Sequence, residues 1–479
     1  MKNKLWSAPY LLFVFVLTLA CSGFGGRALW VDEMLCAFTQ RMSILQILSH
    51  EHLRRYDGLP PLGYLLLRPF QLIFGLETGA HIFTALCTVV IAGAVLHTLC
   101  HIIGKRPHPV VSIAVVTNPF LIWHGSEFRF YSLLAAFGSL IMCQLIVDGV
   151  PEKLKSNLCL GLLGVLFINY SGIFIWSFLA AMILLYVWIA DSFKKALRLV
   201  PVFAIPILIS LPLYIVAMRA QQHLGTKNGI TKDALMNLFP NVTNYLVKVF
   251  PMLTGCWWLG ALIFAFGLFY LISKRQLRYE AFILCSLIAG IIPFLCFSYL
   301  RQYLMPATRY WLYAVSPVLL LVALGIHTIL SVPTRKWDPA YLGRIVIAFL
   351  FIGHIVALSA IVCLDGRFPP YKKIQAYIKS LPPDRTIVTI NYYDNRFLGG
   401  YYPIPNNGTR ISPAAWEEGE AARLRGMKKI LNLTPDALIY INGDEFYNEY
   451  NKTGCSTTNG FTHHPSITLK LAHKLHLFP

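Results

Sequence analysis

The chain has 479 residues, of which 56% are hydrophobic and only 13% are charged, and its mean hydropathy is +0.58. Soluble domains are about 45–50% apolar and about 25% charged, so this composition excludes an ordinary soluble protein and indicates a membrane protein. The net charge of +19 does not indicate a nucleic acid partner, because most basic residues lie in loops between apolar runs and no nucleic-acid-binding motif occurs. The eleven cysteines show no metal-ligand spacing and are interpreted as small core residues.

The first apolar run, residues 6–25, is followed directly by a carboxylate pair, Asp32 and Glu33. Charged side chains at membrane depth are costly and usually mark a functional site. One of these carboxylates could remove a proton from an acceptor hydroxyl. The alternative is that the pair stabilises the start of a helix through the helix dipole, and a residue can serve both purposes.

Further apolar runs predict a mainly α protein, a polytopic transmembrane helical bundle of about 11–13 spans. A span needs about 20 residues, so the run 158–190 is expected to form two short helices that break near Asn169–Gly172. The stretch 61–103 must cross once overall, so 61–76 is expected to be a broken or interfacial helix. The later runs lie at about 79–103, 109–123, 130–149, 158–190, 199–217, 252–272, 279–300, 309–331 and 342–363.

Alternating loop charges predict the orientation, because cytoplasmic loops carry an excess of Lys and Arg. The loops near Lys105, Lys153, Lys194, Lys274 and Arg335 are basic and are assigned to the cytoplasm. The protein is therefore expected to be a multi-pass protein of the cytoplasmic (inner) membrane, with its active site and C-terminal domain on the periplasmic side. The remaining loops then lie outside, at 26–60, 124–129, 218–250 and 299–308.

The composition changes sharply after Asp365, so we predict a transmembrane domain over 1–365 and an extramembrane α/β domain over 366–479. Short β-branched runs alternating with helical segments are typical of such a domain. Two segments are expected to be helices and two to be strands: 371–380, 413–432, Arg385–Ile390 and Ala437–Asn442.

Three more clusters of candidate substrate-binding residues lie on the predicted outer side. Two prolines, Pro60 and Pro61, fix the backbone where an apolar segment begins, which a plain helix start would also explain. A planar guanidinium suits a phosphate anion, although Glu127 and Arg129 could simply pair with each other. Interfacial anchoring explains the aromatic residues near 310 but not the arginines there. The cluster members are Arg54, Arg55 and Asp57; Glu127, Arg129 and Tyr131; and Arg301, Arg309 and Tyr310.

The order of these elements resembles a known group of enzymes. Trp30-Val31-Asp32-Glu33, Pro60-Pro61-Leu62, Glu127-Phe128-Arg129-Phe130-Tyr131 and Arg309-Tyr310 follow one another as in the C-type, multi-span glycosyltransferases. These are related to the protein O-mannosyltransferases and the aminoarabinose lipid A transferases. The bacterial dolichyl-phosphate-mannose-protein mannosyltransferase-like members are the most similar, and the resemblance covers residues 1–365.

That resemblance implies inverting transfer of one sugar, a hexose or a pentose, from a polyprenyl-phosphate donor on the outer face of the membrane. It implies that Asp32 is the general base and that Glu33 orients it or holds the acceptor. Arg129 and Arg309 would stabilise the departing polyprenyl phosphate. The acceptor would be a lipid, a glycan or a protein, and no cofactor is expected.

Two features depart from the group. Relatives often carry Gln-Glu-Ala-Arg where this chain has Gly125-Ser126-Glu127-Phe128-Arg129, and the loop 218–250 matches no known pattern. Asp57 falls near an acid that some relatives associate with a metal. His52 and His124 could approach it, but no metal is expected, because phosphate is already a good leaving group.

A transporter or flippase of lipid-linked sugars is the alternative function, since it would also have many spans and basic sites. Such a protein is expected to place charges near the bilayer midplane, often on broken helices between inverted repeats. Here the charges cluster at the outer boundary and no repeat is visible, which favours the enzyme. A catalytically inactive relative would tolerate loss of the carboxylates.

Overall fold

The computed structural model shows a mainly helical chain, described at residues 6–23, 31–49, 60–149, 156–169, 171–222, 235–255, 257–300, 308–331, 339–363, 387–389 and 438–440. The α-helices in this part of the chain are α1 (Ala8–Cys21), α2 (Val31–Gln40), α3 (Ile44–Leu48), α4 (Leu62–Phe74), α5 (Leu76–Ile103), α6 (Pro109–Val116), α7 (Pro119–Gly125), α8 (Tyr131–Asp148), α9 (Ser156–Ile168), α10 (Ser171–Ala190), α11 (Phe193–Gln222), α12 (Leu238–Leu253), α13 (Trp257–Ser273), α14 (Arg278–Ala289), α15 (Ile291–Leu300), α16 (Val315–Ser331) and α17 (Pro339–Cys363). Two 3₁₀ segments lie at Arg275–Leu277 and Thr308–Ala314.

Seven helical segments of the described chain are long and apolar enough to cross a membrane, by length and composition. They confirm a mainly α, multi-pass membrane protein, while the expected total of about 11–13 crossings stays a prediction. The seven are Leu76–Ile103, Tyr131–Asp148, Ser171–Ala190, Phe193–Ile215, Arg278–Leu300, Trp311–Ser331 and Tyr341–Ile361. Shorter apolar segments lie at Ala8–Cys21, Leu62–Phe74, Pro109–Gly125 and Trp258–Ser273.

Local chemistry explains where the apolar runs break. The predicted break near Asn169 is confirmed: α9 ends at Ile168, and the Asn169 side chain accepts hydrogen bonds from the backbone and hydroxyl of Ser171 at 3.0 and 2.9 Å. A second break separates α6 from α7 at Asn118, whose side-chain oxygen accepts from the Leu121 N–H at 2.9 Å. Pro119 follows at the first helical position, where its missing N–H costs nothing.

The core of the bundle is α16, whose residues are almost all buried. It packs on α13 through two glycines. A Cβ at Gly267 would overlap the Leu321 carbonyl oxygen, and a Cβ at Gly325 would overlap the Ile263 carbonyl oxygen. The two helix backbones therefore approach closely, as small residues allow in membranes.

The stretch 61–76 contains a separate short helix, α4, which ends at Phe74 and is followed by Gly75. This glycine has φ of +82°, a conformation that other residues rarely adopt, and it lets the chain turn directly into α5. A Cβ at Gly79 would lie 2.6 Å from the Phe70 carbonyl carbon, so α5 packs against α4 immediately after the turn.

The described residues fall in two compact units. The first contains α1 and residues 39–363; the second contains residues 31–38 and two short strands, β1 (Ile387–Thr389) and β2 (Leu438–Tyr440). The strands pair in parallel, with Ile387 opposite Leu438, at two positions where the sequence predicts strands. The expected helices 371–380 and 413–432 lie outside the described residues, and the division at 365/366 stays a prediction.

Candidate active site

A buried charged turn joins α7 to α8, and it contains one of the predicted motifs. Glu127 and Arg129 are each only 7% exposed, and Phe128, Phe130 and Tyr131 are buried beside them. Charged residues are almost never buried unless they are paired. The turn is therefore poorly explained as an ordinary loop, which would normally lie on a surface.

The sequence shapes this turn at both ends. A Cβ at Gly125 would overlap the Thr88 hydroxyl oxygen, so the end of α7 lies against α5. The Ser126 hydroxyl donates to the Trp123 carbonyl at 2.7 Å and closes the helix end. At the other side, the Leu134 N–H donates to the Phe130 carbonyl at 2.9 Å and starts α8.

The Glu127 carboxylate contacts a histidine of α7. Its Oε2 lies 3.1 Å from Nδ1 of His124, and His124 is 4% exposed. The His124 ring packs edge-on against Phe120, with ring centroids 4.5 Å apart. The imidazole and the carboxylate thus form a buried pair on one side of the turn.

Arg129 occupies the other side of the turn. Its guanidinium carbon lies 5.8 Å from the centroid of the Tyr131 ring, within the range of a cation–π contact. The backbone N–H of Arg129 donates to the Glu127 carbonyl at 2.8 Å, and the Ser132 hydroxyl donates to the Arg129 carbonyl at 3.3 Å. These contacts fix the backbone from which both charged side chains project.

Gly63 and Tyr64, which directly follow the proline motif, contact this turn. The Phe130 ring packs edge-on against Tyr64, with centroids 4.8 Å apart at 89°. Gly63 lies so close to the same ring that a Cβ there would be 2.5 Å from Phe130 Cγ. Gln40 supports the contact by donating to the Tyr64 carbonyl at 2.8 Å. Two motifs about sixty residues apart in sequence therefore form one packed cluster.

The acidic pair lies in the first turn of α2, in the second unit of the chain. Asp32 and Glu33 are the second and third residues of this helix, and Glu33 is fully buried. Carboxylates there are stabilised by the helix dipole, so the structural interpretation of the pair is supported and stays compatible with a catalytic one. For Asp32 the structure gives the backbone position.

Two members of the third cluster, Arg309 and Tyr310, lie in the 3₁₀ segment Thr308–Ala314, where the structure gives their backbone positions. Trp311 follows, almost fully buried, with its ring 6.4 Å from that of Tyr245 in α12. Burial raises the pKa of the Tyr245 phenol, so its hydroxyl stays protonated. Four candidates and one further histidine lie outside the described residues: Arg54, Arg55, Asp57, Arg301 and His52.

The described side chains hold no cluster of three or more His, Cys, Asp or Glu residues that could bind a metal. Because His52 and Asp57 are not among them, the expectation of no metal stays a prediction. From the sequence, His124 was expected only as a possible neighbour of Asp57. The i, i+3 spacing of His124 and Glu127 at a helix end is the signal that could have paired them.

The fold resembles that of a solved protein, ArnT, in two states. ArnT from Cupriavidus metallidurans in the apo state matches with a TM-score of 0.53 and 11% sequence identity, covering 93% of this chain and 90% of that chain. The same protein bound to undecaprenyl phosphate matches with a TM-score of 0.52 and 13% identity over the same shares. The chain therefore shares the fold of ArnT.

Comparisons of the amino-acid sequence find no relative of this chain. No protein-family model matches the chain, and no curated protein is significantly similar to it. At 11–13% identity the solved structures establish a shared architecture, and the activity has to be argued from this chain's own residues.

Proposed function

We propose that the chain is a membrane glycosyltransferase that moves a single hexose or pentose from a polyprenyl-phosphate donor to an acceptor hydroxyl. The observation that carries the proposal is the buried charged turn. Glu127 and Arg129 are each 7% exposed, and Phe130 of the same turn packs against Gly63 and Tyr64. The fold supports it, because a solved protein with the same architecture is bound to undecaprenyl phosphate. The acceptor is a lipid, a glycan or a protein.

In the proposed reaction the acceptor oxygen attacks the anomeric carbon and inverts it. The bond from that carbon to the phosphate oxygen breaks, and its electron pair leaves with the polyprenyl phosphate. Asp32 takes the proton of the acceptor hydroxyl as general base, and Glu33 orients it or holds the acceptor.

Arg129 and Arg309 are proposed to offset the charge that develops on the leaving phosphate. A guanidinium presents several N–H donors in one plane and suits phosphate oxygens. Arg129 supports this role because its backbone is fixed by hydrogen bonds and its side chain is buried. Tyr131 and Tyr310 are proposed to line the same substrate site, together with Arg54, Arg55, Asp57, Glu127 and Arg301.

We also propose that the protein works in the cytoplasmic membrane, with its site on the periplasmic side. The support is the distribution of basic residues, because loops at Lys105–Arg106, Lys194–Lys195 and Lys274–Arg275 follow the positive-inside rule. Labelling of single cysteines in those loops from each side of sealed membranes tests the orientation.

The test of the function uses the purified protein in liposomes with polyprenyl-phosphate sugars and outer-leaflet lipid and glycan acceptors. We expect transfer by the wild type and a loss of about 100-fold or more for Asp32→Asn, the size of a general-base contribution. Asp191→Asn is the matched control, because Asp191 is exposed and, among the described residues, its carboxylate pairs with its helical neighbour Lys195 at 3.0 Å.

The other outcomes separate the alternatives. Equal transfer by wild type and Asp32→Asn would remove Asp32 from the chemistry. Movement of the lipid-linked sugar between leaflets without transfer would favour the flippase. Polar groups suited to that function lie at the helix break near Asn118, where the Thr117 hydroxyl is 3.0 Å from Nδ1 of His354 in α17. If neither transfer nor movement is observed, the result favours a catalytically inactive relative.

A further inference from the structure

The buried pair of His124 and Glu127 leaves one imidazole nitrogen with no hydrogen-bond partner among the described residues. Nδ1 of His124 lies 3.1 Å from Glu127 Oε2, while Nε2 is buried and unbonded. The residue as a whole is 4% exposed, so bulk water does not satisfy it. A buried polar atom without a partner is costly, and such an atom in a native protein calls for an explanation.

The Glu127 contact determines what this nitrogen can do. When the ring is neutral and the carboxylate is ionised, the ring proton lies on Nδ1, because an ionised carboxylate only accepts hydrogen bonds. Nε2 is then a lone-pair acceptor, which needs a donor such as a hydroxyl group. In this form Nε2 does not bind an anionic phosphate oxygen, which is itself an acceptor.

The ring is held in place before any ligand binds. Phe120 packs edge-on against it at 4.5 Å, and α7 is capped at Asn118 and closed at Ser126. A buried acceptor on a rigid element loses little freedom when it binds, so it can discriminate between ligands.

We propose that His124 Nε2 accepts a hydrogen bond from a hydroxyl of the transferred sugar and thereby selects which sugar-donor substrate binds. This inference rests on the proposed function. Arg129, in the same turn, supplies N–H donors for the phosphate, while His124 supplies an acceptor for the sugar attached to it. These two groups are thus assigned to the two parts of one sugar phosphate. A site that hydrogen-bonds a substrate hydroxyl strongly rejects an analogue lacking it.

The test is a binding cycle with the full-length protein in detergent. Undecaprenyl phosphate and a panel of undecaprenyl-phosphate hexoses and pentoses are titrated first, to find the sugar that binds most tightly. Each monodeoxy derivative of that donor is then titrated against wild type and His124→Phe. The phenyl ring keeps the packing on Phe120 and removes both nitrogens.

We expect one monodeoxy derivative to bind wild type about 10- to 100-fold more weakly than the parent donor. His124→Phe should bind this derivative and the parent equally, because the acceptor is gone. Bare undecaprenyl phosphate carries no sugar hydroxyl, so its affinity should be similar in both proteins. His327→Phe is the matched control, since it replaces a buried histidine of α16, 6.4 Å from Tyr270, and should keep the wild-type discrimination.

The results that overturn the inference are distinct from those that overturn the function. If His124→Phe discriminates against every derivative as wild type does, His124 does not contact the sugar. If His124→Phe does not fold, His124→Met carries the same comparison, because an unbranched side chain fills irregular gaps. If wild type binds no sugar-linked lipid more tightly than undecaprenyl phosphate, the proposed function fails, and the inference fails with it.

Discussion

The contact between Gly63 and Phe130 predicts that a single added methyl group will lower the transfer activity strongly and the stability only slightly. In Gly63→Ala the new Cβ would lie 2.5, 2.6 and 2.8 Å from three atoms of the Phe130 ring, where 3.4 Å is an ordinary contact. The ring must therefore move by about 1 Å. Phe130 is 1% exposed and Tyr64 is fully buried behind it, so the ring cannot swing into free space.

The change in stability is expected to be modest. Overpacking a buried contact costs about 1–3 kcal/mol, while alanine is favoured over glycine in a helix by up to about 1 kcal/mol. The net free energy of unfolding should fall by roughly 0–2 kcal/mol. This is small enough for the variant to fold and be purified.

The change in activity is expected to be much larger. Phe130 is the direct neighbour of Arg129, and a misplacement of about 1 Å at a reacting group can lower the rate about 100-fold. Transfer rate and thermal unfolding are measured on the same liposome or detergent samples. Gly93→Ala is the matched control, because its Cβ would lie an ordinary 3.7 Å from Leu11.

The control should keep the wild-type rate and the same or slightly greater stability. The reasoning would be refuted if Gly63→Ala retained transfer within a few-fold of wild type. It would also be refuted if both glycine variants lost activity equally, since the effect would then not depend on the displaced ring.

Two further predictions concern the core and the proposed phosphate-binding residue Arg129. Gly325→Ala places a Cβ against the rigid Ile263 carbonyl, so thermal unfolding should show that the free energy of unfolding falls by about 2 kcal/mol or more. Gly138→Ala is the control and should not lower it, because its Cβ would lie 3.6 Å from its nearest neighbour. Equal effects of the two variants would contradict the close packing of the helices. Arg129→Lys keeps the charge but loses the planar donor fork, so affinity for undecaprenyl phosphate should fall about tenfold or more, and unchanged binding would exclude a direct phosphate contact.

The sequence was sufficient to predict features that depend on the local hydropathy and conformational preference of the chain. Long apolar runs cross membranes, and they do so as helices because a helix satisfies every backbone hydrogen bond within the segment. The mainly α, multi-pass architecture therefore followed from the composition. The break at Asn169 followed from a run too long for one span and too short for two full ones. The strand positions at 387–389 and 438–440 followed from β-branched residues.

Other breaks needed the structure. The run 109–123 reads as one span, yet it divides at Asn118, where the side chain caps α7 and Pro119 begins it. The run 252–272 likewise divides after α12, which ends at Leu253. Hydropathy does not record such breaks, because the residues on both sides are equally apolar.

The candidate site was only partly accessible from sequence. The residue types Glu127, Arg129 and Tyr131 indicated a charged turn suited to phosphate, because their chemistry is local. That Gly63 and Tyr64 hold this turn through Phe130, and that His124 contacts Glu127, was decided by tertiary packing. Contacts between segments about sixty residues apart depend on how whole helices fit together, and this fit is a property of side-chain shape that no local pattern in the sequence records.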